Sequence, residues 1–254
     1  MPPLAKLPLS VCILVKNEAD RLPRCLAALS EMAEIICLDS GSTDGSQEII
    51  RSAGATLLEH EWLGFGATRT VLFRQATQPW VLWLDADEVV TPELMSSLRR
   101  LFADPMSHAA YQVNRTVIFQ GQRVRHGDWF PDWIVRLFRA DSWTMDERIV
   151  HERILIDGSI GQLDGLLEHY SFRDWDDLAR RSAYYARLWA EMGQHRGKRP
   201  VPLEAEARAS WRFLRGFVFK FGFLDGTLGY RVALACAREV RLKYRTLREA
   251  NRPN

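Results

Sequence analysis

Short apolar runs alternate with helical segments through the first hundred residues, and this alternation restricts the possible fold more than any other feature. The apolar runs are Leu9–Val15, Ile35–Leu38, Ala55–Leu58 and Trp80–Leu84. Continuous runs of this length are typical of strands that are buried on both faces. Strands separated by helices form a parallel sheet with helices on its faces. The sequence therefore predicts an α/β fold with a mainly parallel sheet.

Three of these predicted strands end in polar residues. The clusters are Val15-Lys16-Asn17-Glu18, Leu38-Asp39-Ser40 and Leu84-Asp85-Ala86-Asp87. Ligands of open parallel sheets bind beyond the carboxyl ends of the strands. We therefore expect the three clusters to converge on one edge of the sheet and to form a ligand site.

Asp85 and Asp87 give this site its chemical character. Two carboxylates at the end of an apolar strand are costly unless a cation accompanies them. Carboxylate oxygens suit Mg²⁺ or Mn²⁺, ions that usually also bind substrate phosphates. The alternative is that Asp85 faces solvent while Asp87 and Glu88 cap a helix.

Asp39 and Arg69 are further candidates for the same site. The Asp39 carboxylate could accept hydrogen bonds from a base or a ribose, although residues 40–46 also suit ordinary turn chemistry. Arg69 follows Gly64-Phe65-Gly66 at the start of a predicted helix, where a cation could meet a diphosphate. A solvated helix arginine explains Arg69 equally well.

The pattern changes after Pro105, and the rest of the chain predicts shorter strands and long helices. Asp174 is expected to cap a helix that runs to about Met192. Residues 193–202 form a linker rich in glycine, proline and basic side chains. We predict a main domain over residues 1–192, a linker over 193–202, and a basic amphipathic helical extension over 203–254.

Charge is distributed unevenly along the chain. The formal net charge is +2, but residues 203–254 carry +6 and the remainder carries −4. In Trp211–Phe221, aromatic side chains alternate with arginine and lysine, as in segments that lie on an anionic membrane surface. The alternative is a pair of helices packed on the main domain with solvated basic faces. No recognition motif supports binding to nucleic acid.

The cysteines and the apolar segments indicate a compartment. Cys12, Cys25, Cys37 and Cys236 form no CxxC pair, which favours reduced core residues. The N-terminus lacks the apolar stretch of a signal peptide, and no apolar run reaches the roughly 20 residues that span a bilayer. We expect a cytoplasmic protein that is peripheral on the inner face of the cytoplasmic membrane.

Several motifs together carry a family resemblance. Residues Val11–Glu18, Asp39–Ser46 and Trp83–Glu88 resemble the inverting glycosyltransferases of family 2, which have the GT-A fold. In the second half, Pro131–Arg139, Val150–Glu152 and Gly222–Gly226 resemble the branch that adds glucose to the heptose of the lipopolysaccharide inner core. The resemblance covers nearly the whole chain.

The resemblance implies a role for each matching residue. Asp39 would contact the nucleotide base, Asp85 the ribose or the metal, and Arg69 the diphosphate or the base. Asp87 would bind the metal, with His169 completing the site and His151 as its rival. The remaining donor-site residues are Val15, Asn17, Glu18 and Ala86.

The resemblance also implies a general base that takes the proton of the acceptor hydroxyl. The family usually has a Glu-Asp pair where this chain has His151 and Glu152, so Glu152 is the first candidate. Asp132 and Asp128 are the alternatives. The acceptor site could include Trp129, Phe130 and Trp133, which would stack on sugar rings or anchor a loop.

The expected function is therefore a metal-dependent, inverting hexosyl transfer from a UDP-sugar, with glucose favoured, to a lipid-linked saccharide. One alternative is nucleotidyl transfer, which also uses a nucleotide, Mg²⁺ and paired aspartates. The opening strand lacks the glycine-rich basic phosphate loop of such enzymes. A second alternative is an inactive sugar-binding or membrane-scaffold protein, which the Asp39, Asp85 and Asp87 set argues against.

Overall fold

The computed structural model describes residues 6–104, 106–146 and 153–251. The chain forms two compact units. The first contains residues up to 115 together with 133–169, and the second contains residues 116–132 together with those from 170 onward. The domain boundaries expected from the sequence, at residues 192 and 203, stay a prediction.

The first unit opens with four strands and three helices in alternation. They are β1 (Leu7–Val15), α1 (Leu22–Ala27), β2 (Met32–Asp39), α2 (Ser46–Ser52), β3 (Thr56–Glu59), α3 (Phe65–Phe73) and β4 (Trp80–Asp85). Strand β1 pairs in parallel with β2 and β4, and β2 pairs in parallel with β3. Val15 lies opposite Asp39, and Leu14 lies opposite Asp85. The three polar clusters therefore converge on one sheet edge, as predicted.

Antiparallel strands complete the sheet. The elements that follow β4 are β5 (Glu88–Val90), α4 (Pro92–Ala103), β6 (Ala110–Phe119), β7 (Gln122–Arg123), β8 (Asp132–Arg139), β9 (Trp143–Met145), β10 (Ile154–Ile156) and β11 (Ile160–His169). The strand order is β3-β2-β1-β4-β8-β6-β11-β5, and β9 pairs with β10 separately. Strand β8 is antiparallel to β4, and β11 is antiparallel to β5. The α/β class is confirmed, with a sheet that is mixed rather than parallel throughout.

Helix α4 shows how the local sequence sets its position beside β11. The Thr91 hydroxyl accepts a hydrogen bond from the Leu94 backbone amide at 3.2 Å, and Pro92 is the first helical residue. A threonine cap followed by proline is a favoured start for a helix. A side chain at Gly165 of β11 would place its Cβ only 2.4 Å from the Leu94 nitrogen. The absence of a side chain at Gly165 therefore lets α4 pack directly against the strand.

The second unit is built on α5 (Trp175–His195), α6 (Glu204–Leu214) and α7 (Gly226–Ala250). Asp174 accepts a hydrogen bond from the Asp177 backbone amide at 2.6 Å, which confirms the predicted cap of α5. The helix continues to His195, three residues into the predicted linker. A π-helical turn and a 3₁₀ turn connect α6 to α7. The unit's core includes Phe119, Val124, Leu228, Val232 and Cys236.

The structure also bears on the cysteines and on membrane crossing. All four cysteines are free and buried, which confirms the prediction of reduced core residues. Burial raises the pKa of Cys37 to about 12. Within residues 6–104, 106–146 and 153–251, no helix combines the length and apolar character needed to cross a membrane.

Candidate active site

Asp39, at the end of β2, is fully buried and holds the loop that follows it. Its carboxylate accepts hydrogen bonds from the backbone amides of Gly41 and Ser42, both at 2.9 Å, and from Gln47 Nε2 at 2.8 Å. The Ser42 hydroxyl also donates to it. Burial alone would raise the pKa of Asp39, but these hydrogen bonds outweigh burial and lower the pKa. Asp39 is therefore an ionised anchor of the loop over residues 40–46.

The loop after β1 is tied to this second loop. The Asn17 amide oxygen accepts a hydrogen bond from the Thr43 backbone at 2.9 Å, and the Asn17 backbone donates to the Ser42 hydroxyl at 2.8 Å. The Glu18 backbone amide donates to the Ser46 hydroxyl at 2.9 Å. Asn17 has a φ of 55°, a left-handed conformation that asparagine tolerates better than most residues. The two loops thus support each other beside Val15, the buried last residue of β1.

Asp85, at the end of β4, lies between two arginines. Arg136 Nη2 is 2.8 Å from one carboxylate oxygen, and Arg69 Nη2 is 3.4 Å from the other. Burial would raise the pKa of Asp85, but the charges of Arg136 and Arg69 prevail and lower the pKa well below its ordinary value. The side chain keeps 29% of its surface exposed. Asp85 is thus an ionised group that remains accessible to a ligand.

Arg136 was not among the site residues predicted from the sequence. It is buried in β8 and donates to both Asp85 and Glu88, while Arg115 lies 3.1 Å from the same Glu88 carboxylate. Glu88 is fully buried, so it needs this pairing. The available signal was an arginine within the otherwise apolar run over residues 133–138.

Trp83 lies beneath both arginines of this cluster. The guanidinium carbon of Arg136 is 4.4 Å from the Trp83 ring centroid, and that of Arg69 is 4.5 Å away. These are cation–π distances. Trp83 therefore helps to orient both positive charges beside Asp85.

Asp87 and His169 form the second part of the site. The His169 Nε2 atom is 3.4 Å from Asp87 Oδ1, and Arg21 Nη1 is 3.3 Å from Asp87 Oδ2. Burial would raise the pKa of Asp87, but the hydrogen bond and charge of His169 lower it. His169 faces Glu88 in the pairing of β11 with β5, and this register brings the histidine to Asp87.

This donor set suits a divalent cation that the substrate helps to bind. In the part of the chain that the structure describes, no group of three or more His, Cys, Asp or Glu side chains is arranged to hold a metal ion. Asp87 and His169 offer one carboxylate oxygen and one imidazole nitrogen that lie 3.4 Å apart. Mg²⁺ usually binds through one or two carboxylates plus waters and substrate phosphates. The residues fit that kind of site rather than a cage made of protein ligands alone.

The candidates for the general base lie in different environments, and two of the sequence candidates for the site fall outside the described residues. Glu152 and His151 lie outside the described residues. Asp132 is half-buried at the first position of β8 and belongs to the second unit. The Asp128 side chain is fully buried, at 2.6 Å from Arg215 and 2.8 Å from Arg212. A carboxylate with no exposed surface cannot reach an acceptor hydroxyl, so the structure argues against Asp128 as the base.

The aromatic residues proposed for the acceptor site differ in their packing and exposure. Trp129 packs against Phe172 with ring centroids 5.4 Å apart, next to the core of the second unit. This placement favours the loop-anchor interpretation for Trp129. Trp133 is exposed and Phe130 is half-buried.

The mixed sheet with flanking helices, and with Asp39 and Asp85 at the ends of its parallel strands, fits the GT-A class of fold. The family model described as "Glycosyl transferase family 2" matches residues 10–162. This chain therefore belongs to glycosyltransferase family 2.

Named relatives agree with this assignment. The lipopolysaccharide core biosynthesis glycosyltransferase LpsC of Rhizobium meliloti is 30% identical over 204 residues, covering 78% of this chain and 76% of the relative. An uncharacterized glycosyltransferase of Rickettsia typhi is 26% identical over 248 residues, covering 92% of this chain and 85% of the relative. Among solved structures, the alignment with TarS of S. aureus covers 97% of this chain and 93% of the TarS chain, with 14% identity and a TM-score of 0.47. That structural likeness is too distant to bear on function.

Proposed function

We propose that the protein transfers glucose from UDP-glucose to a hydroxyl of the lipopolysaccharide core or of another lipid-linked glycan, with inversion and with Mg²⁺ or Mn²⁺ bound. The observation that carries this proposal is the approach of His169 Nε2 to Asp87 Oδ1, at 3.4 Å, beside the ionised Asp85. The name of the Rhizobium meliloti relative supports the choice of acceptor.

Asp87 and His169 would hold the metal ion. When bound, the cation neutralises the negative charge that develops on the departing diphosphate. The lowered pKa of Asp87 keeps its carboxylate ionised at neutral pH, which is the form that binds a cation. Arg21, 3.3 Å from the other oxygen of Asp87, holds the carboxylate in place.

Arg69 is proposed to contact the diphosphate, and Asp85 the ribose. The Arg69 guanidinium lies against Asp85 and Trp83, so its position is fixed before the donor arrives. Arg136 is buried and acts through Asp85, whose orientation it fixes. Asp39 is fully buried, so it is proposed to act on the nucleotide base through the loop over residues 40–46 that it anchors. The other proposed donor-site residues are Val15, Asn17, Glu18 and Ala86.

The acceptor hydroxyl requires a base because it is a poor nucleophile at neutral pH. We propose Glu152 for this role, with Asp132 as the alternative. Direct attack on the face opposite the leaving nucleotide inverts the anomeric centre. The lipid-linked acceptor would bring the protein to the inner face of the cytoplasmic membrane as a peripheral protein.

A donor screen with and without divalent cation tests the proposal. Purified protein is incubated with UDP-glucose and other nucleotide sugars, with lipopolysaccharide precursors as acceptors. We expect transfer from UDP-glucose only when Mg²⁺ or Mn²⁺ is present, and a β-linked product by NMR. Transfer that is unaffected by a chelator would reject the metal assignment. A product that retains the donor's anomeric configuration would reject direct displacement.

A further inference from the structure

The connection between α6 and α7 exposes four large apolar side chains within six residues. We call Phe219, Phe221, Phe223 and Leu224 the aromatic tip, and their exposed fractions are 62%, 56%, 47% and 60%. Trp211, at 58%, and Leu214 and Val218 extend the exposed surface along the preceding helical turns. Clusters of exposed large apolar side chains often mark a surface that binds a protein or a membrane.

The aromatic tip is held by a closely packed backbone. Phe221 has a φ of 56°, which is uncommon for a bulky residue. A Cβ on Gly222 would lie 2.7 Å from the Gly216 carbonyl oxygen, and a Cβ on Gly229 would lie 1.8 Å from the Gly222 oxygen. Because these glycines allow the turns to touch, the loop is compact while its apolar side chains remain outside. A π-helical turn, a rare element that is frequent at functional sites, leads into it.

Ring contacts join the exposed side chains into larger patches. The rings of Trp211 and Phe219 are 5.7 Å apart, and those of Phe221 and Phe223 are 6.2 Å apart. Phe217 connects Phe223 to Tyr230, at 6.3 and 5.8 Å. These neighbouring rings already pack against one another, so few side chains would lose freedom when the surface meets a partner.

Positive charge accompanies the apolar surface. Arg212, Arg215 and Lys220 surround the single carboxylate of Asp128, and each keeps more than 30% of its side-chain surface exposed. Three cations around one anion leave a surplus of positive charge beside the aromatic tip. Residues 203–254 carry a net charge of +6 as a whole. The expected partner is therefore both apolar and anionic.

We propose that the aromatic tip inserts into the headgroup region of an anionic bilayer, with Lys220 and Arg215 facing the lipid phosphates. Aromatic rings favour the boundary between lipid and water, and basic residues near the surface are attracted to anionic lipids. A second copy of this chain fits less well, because a symmetric contact would bring two positively charged surfaces together. This proposal rests on the proposed function, which brings the enzyme to the membrane. Lipid binding can nevertheless be measured without catalysis, so the two proposals can be tested separately.

Co-sedimentation with vesicles of equimolar phosphatidylglycerol and phosphatidylcholine tests the insertion. The test variant is Phe219→Gln, Phe221→Asn and Leu224→Gln, in which asparagine suits the left-handed backbone at position 221. We expect binding to weaken by roughly tenfold or more, since the variant lacks three apolar side chains that would be buried in the bilayer on binding. The matched control is Leu155→Gln, Ile160→Gln and Val201→Gln, three residues of similar exposure outside the tip, and it should bind like wild type.

Other arms of the experiment identify the partner. Wild-type protein should bind vesicles of phosphatidylcholine alone at least tenfold more weakly, because the basic side chains then have no anionic lipid to meet. Equal binding by the tip variant and wild type would overturn the proposal. The proposal would also be overturned if the wild-type protein does not bind vesicles and instead forms a dimer, measured by sedimentation velocity, that is absent in the tip variant. In that case the surface is a contact between copies.

The outcome can be separated from that of the proposed function. The tip variant should keep its UDP-glucose transfer to a soluble saccharide acceptor, because the substitutions lie outside the proposed donor site. Asp87→Ala should lose transfer and still sediment with anionic vesicles. Loss of both properties in the tip variant, with circular dichroism unchanged, would contradict the separation of roles.

Discussion

Asp85 and Asp128 are each held by basic side chains, yet the two regions around them use the same pairing differently. Asp85 lies at a strand end between Arg136 and Arg69, and 29% of its side chain remains exposed. Asp128 is surrounded by Arg212, Arg215 and Lys220, and none of its side chain is exposed. A ligand can therefore reach the Asp85 carboxylate, whereas the Asp128 carboxylate is buried and only its own basic partners contact it.

The difference in exposure indicates different roles for the two carboxylates. A buried carboxylate that only its own cations can reach contributes to structure, and removing it leaves those cations unpaired. A partly exposed carboxylate with fixed partners is preorganised for a ligand, and removing it should affect the reaction more than the fold. Substitutions in the two regions should therefore separate stability from activity.

Asp128→Asn is expected to give the largest loss of stability. The change leaves three cations around a neutral side chain, and breaking a buried pair costs about 3–5 kcal/mol. Urea unfolding followed by tryptophan fluorescence measures the free energy of unfolding. Activity per folded molecule should stay near wild type. An unchanged unfolding midpoint would contradict the structural role given to Asp128.

Asp85→Asn should show the opposite pattern. The isosteric amide keeps the shape but removes the charge that orients Arg69, so transfer should fall by about 10²–10³-fold. The free energy of unfolding should fall by less than for Asp128→Asn. Steady-state kinetics on the two purified variants, side by side, make the comparison. A loss of stability in Asp85→Asn with full activity would reverse the two assignments.

Arg136→Lys tests whether the planar guanidinium is needed to hold two carboxylates at once. Its Nη2 atom donates to both Asp85 and Glu88, and the group lies over the Trp83 ring, which fixes its orientation. Lysine keeps the charge but has a compact ammonium on a flexible stem, so it loses this stacked orientation. We expect a loss of about 1–3 kcal/mol in the free energy of unfolding, because the fully buried Glu88 then keeps Arg115 but loses the hydrogen bond from Arg136. Lysine replacement of the exposed Arg139, on the same strand, is the control and should change stability little.

The pH dependence of stability should show the smallest effect. The pKa of Asp85 is lowered by its arginines in the folded protein, so its stabilisation is complete above the ordinary aspartate pKa of about 3.9. That stabilisation is lost as the pH falls below this value, at up to about 1.4 kcal/mol per pH unit for one group. Unfolding measured between neutral and acid pH should have a shallower acid slope in Asp85→Asn. An identical slope would contradict the lowered pKa.

Much of the fold and part of the site were predictable from local sequence. The apolar strands that end in Asp39 and Asp85 pair in parallel, so their convergence follows from general sheet geometry. This prediction was confirmed because it rests on short motifs and a general rule. His169 lies 3.4 Å from Asp87, and the metal-binding role that the family resemblance implies for them stays a prediction.

The remaining features depend on distant pairings that leave little local signal. Arg136 reaches Asp85 because β8 pairs antiparallel with β4, with Leu137 opposite Leu82. Nothing near residue 136 specifies that register. Asp128 is an alternative candidate for the general base by sequence, because the arginines that pair with it lie more than 80 residues further along the chain. The π-helical turn before the aromatic tip contains Gly216, and a Cβ on Gly222 would lie only 2.7 Å from the Gly216 oxygen.

Metal-dependent binding of UDP tests the central claim most directly, because it needs neither acceptor nor turnover. Titration calorimetry of UDP is performed with and without Mn²⁺ on wild type, Asp87→Ala, His169→Ala and Asp132→Asn. We predict that Mn²⁺ strengthens UDP binding at least tenfold in wild type and in Asp132→Asn, and has no effect in the other two variants. If Asp87→Ala kept the full Mn²⁺ enhancement, Asp87 and His169 would not be the metal site.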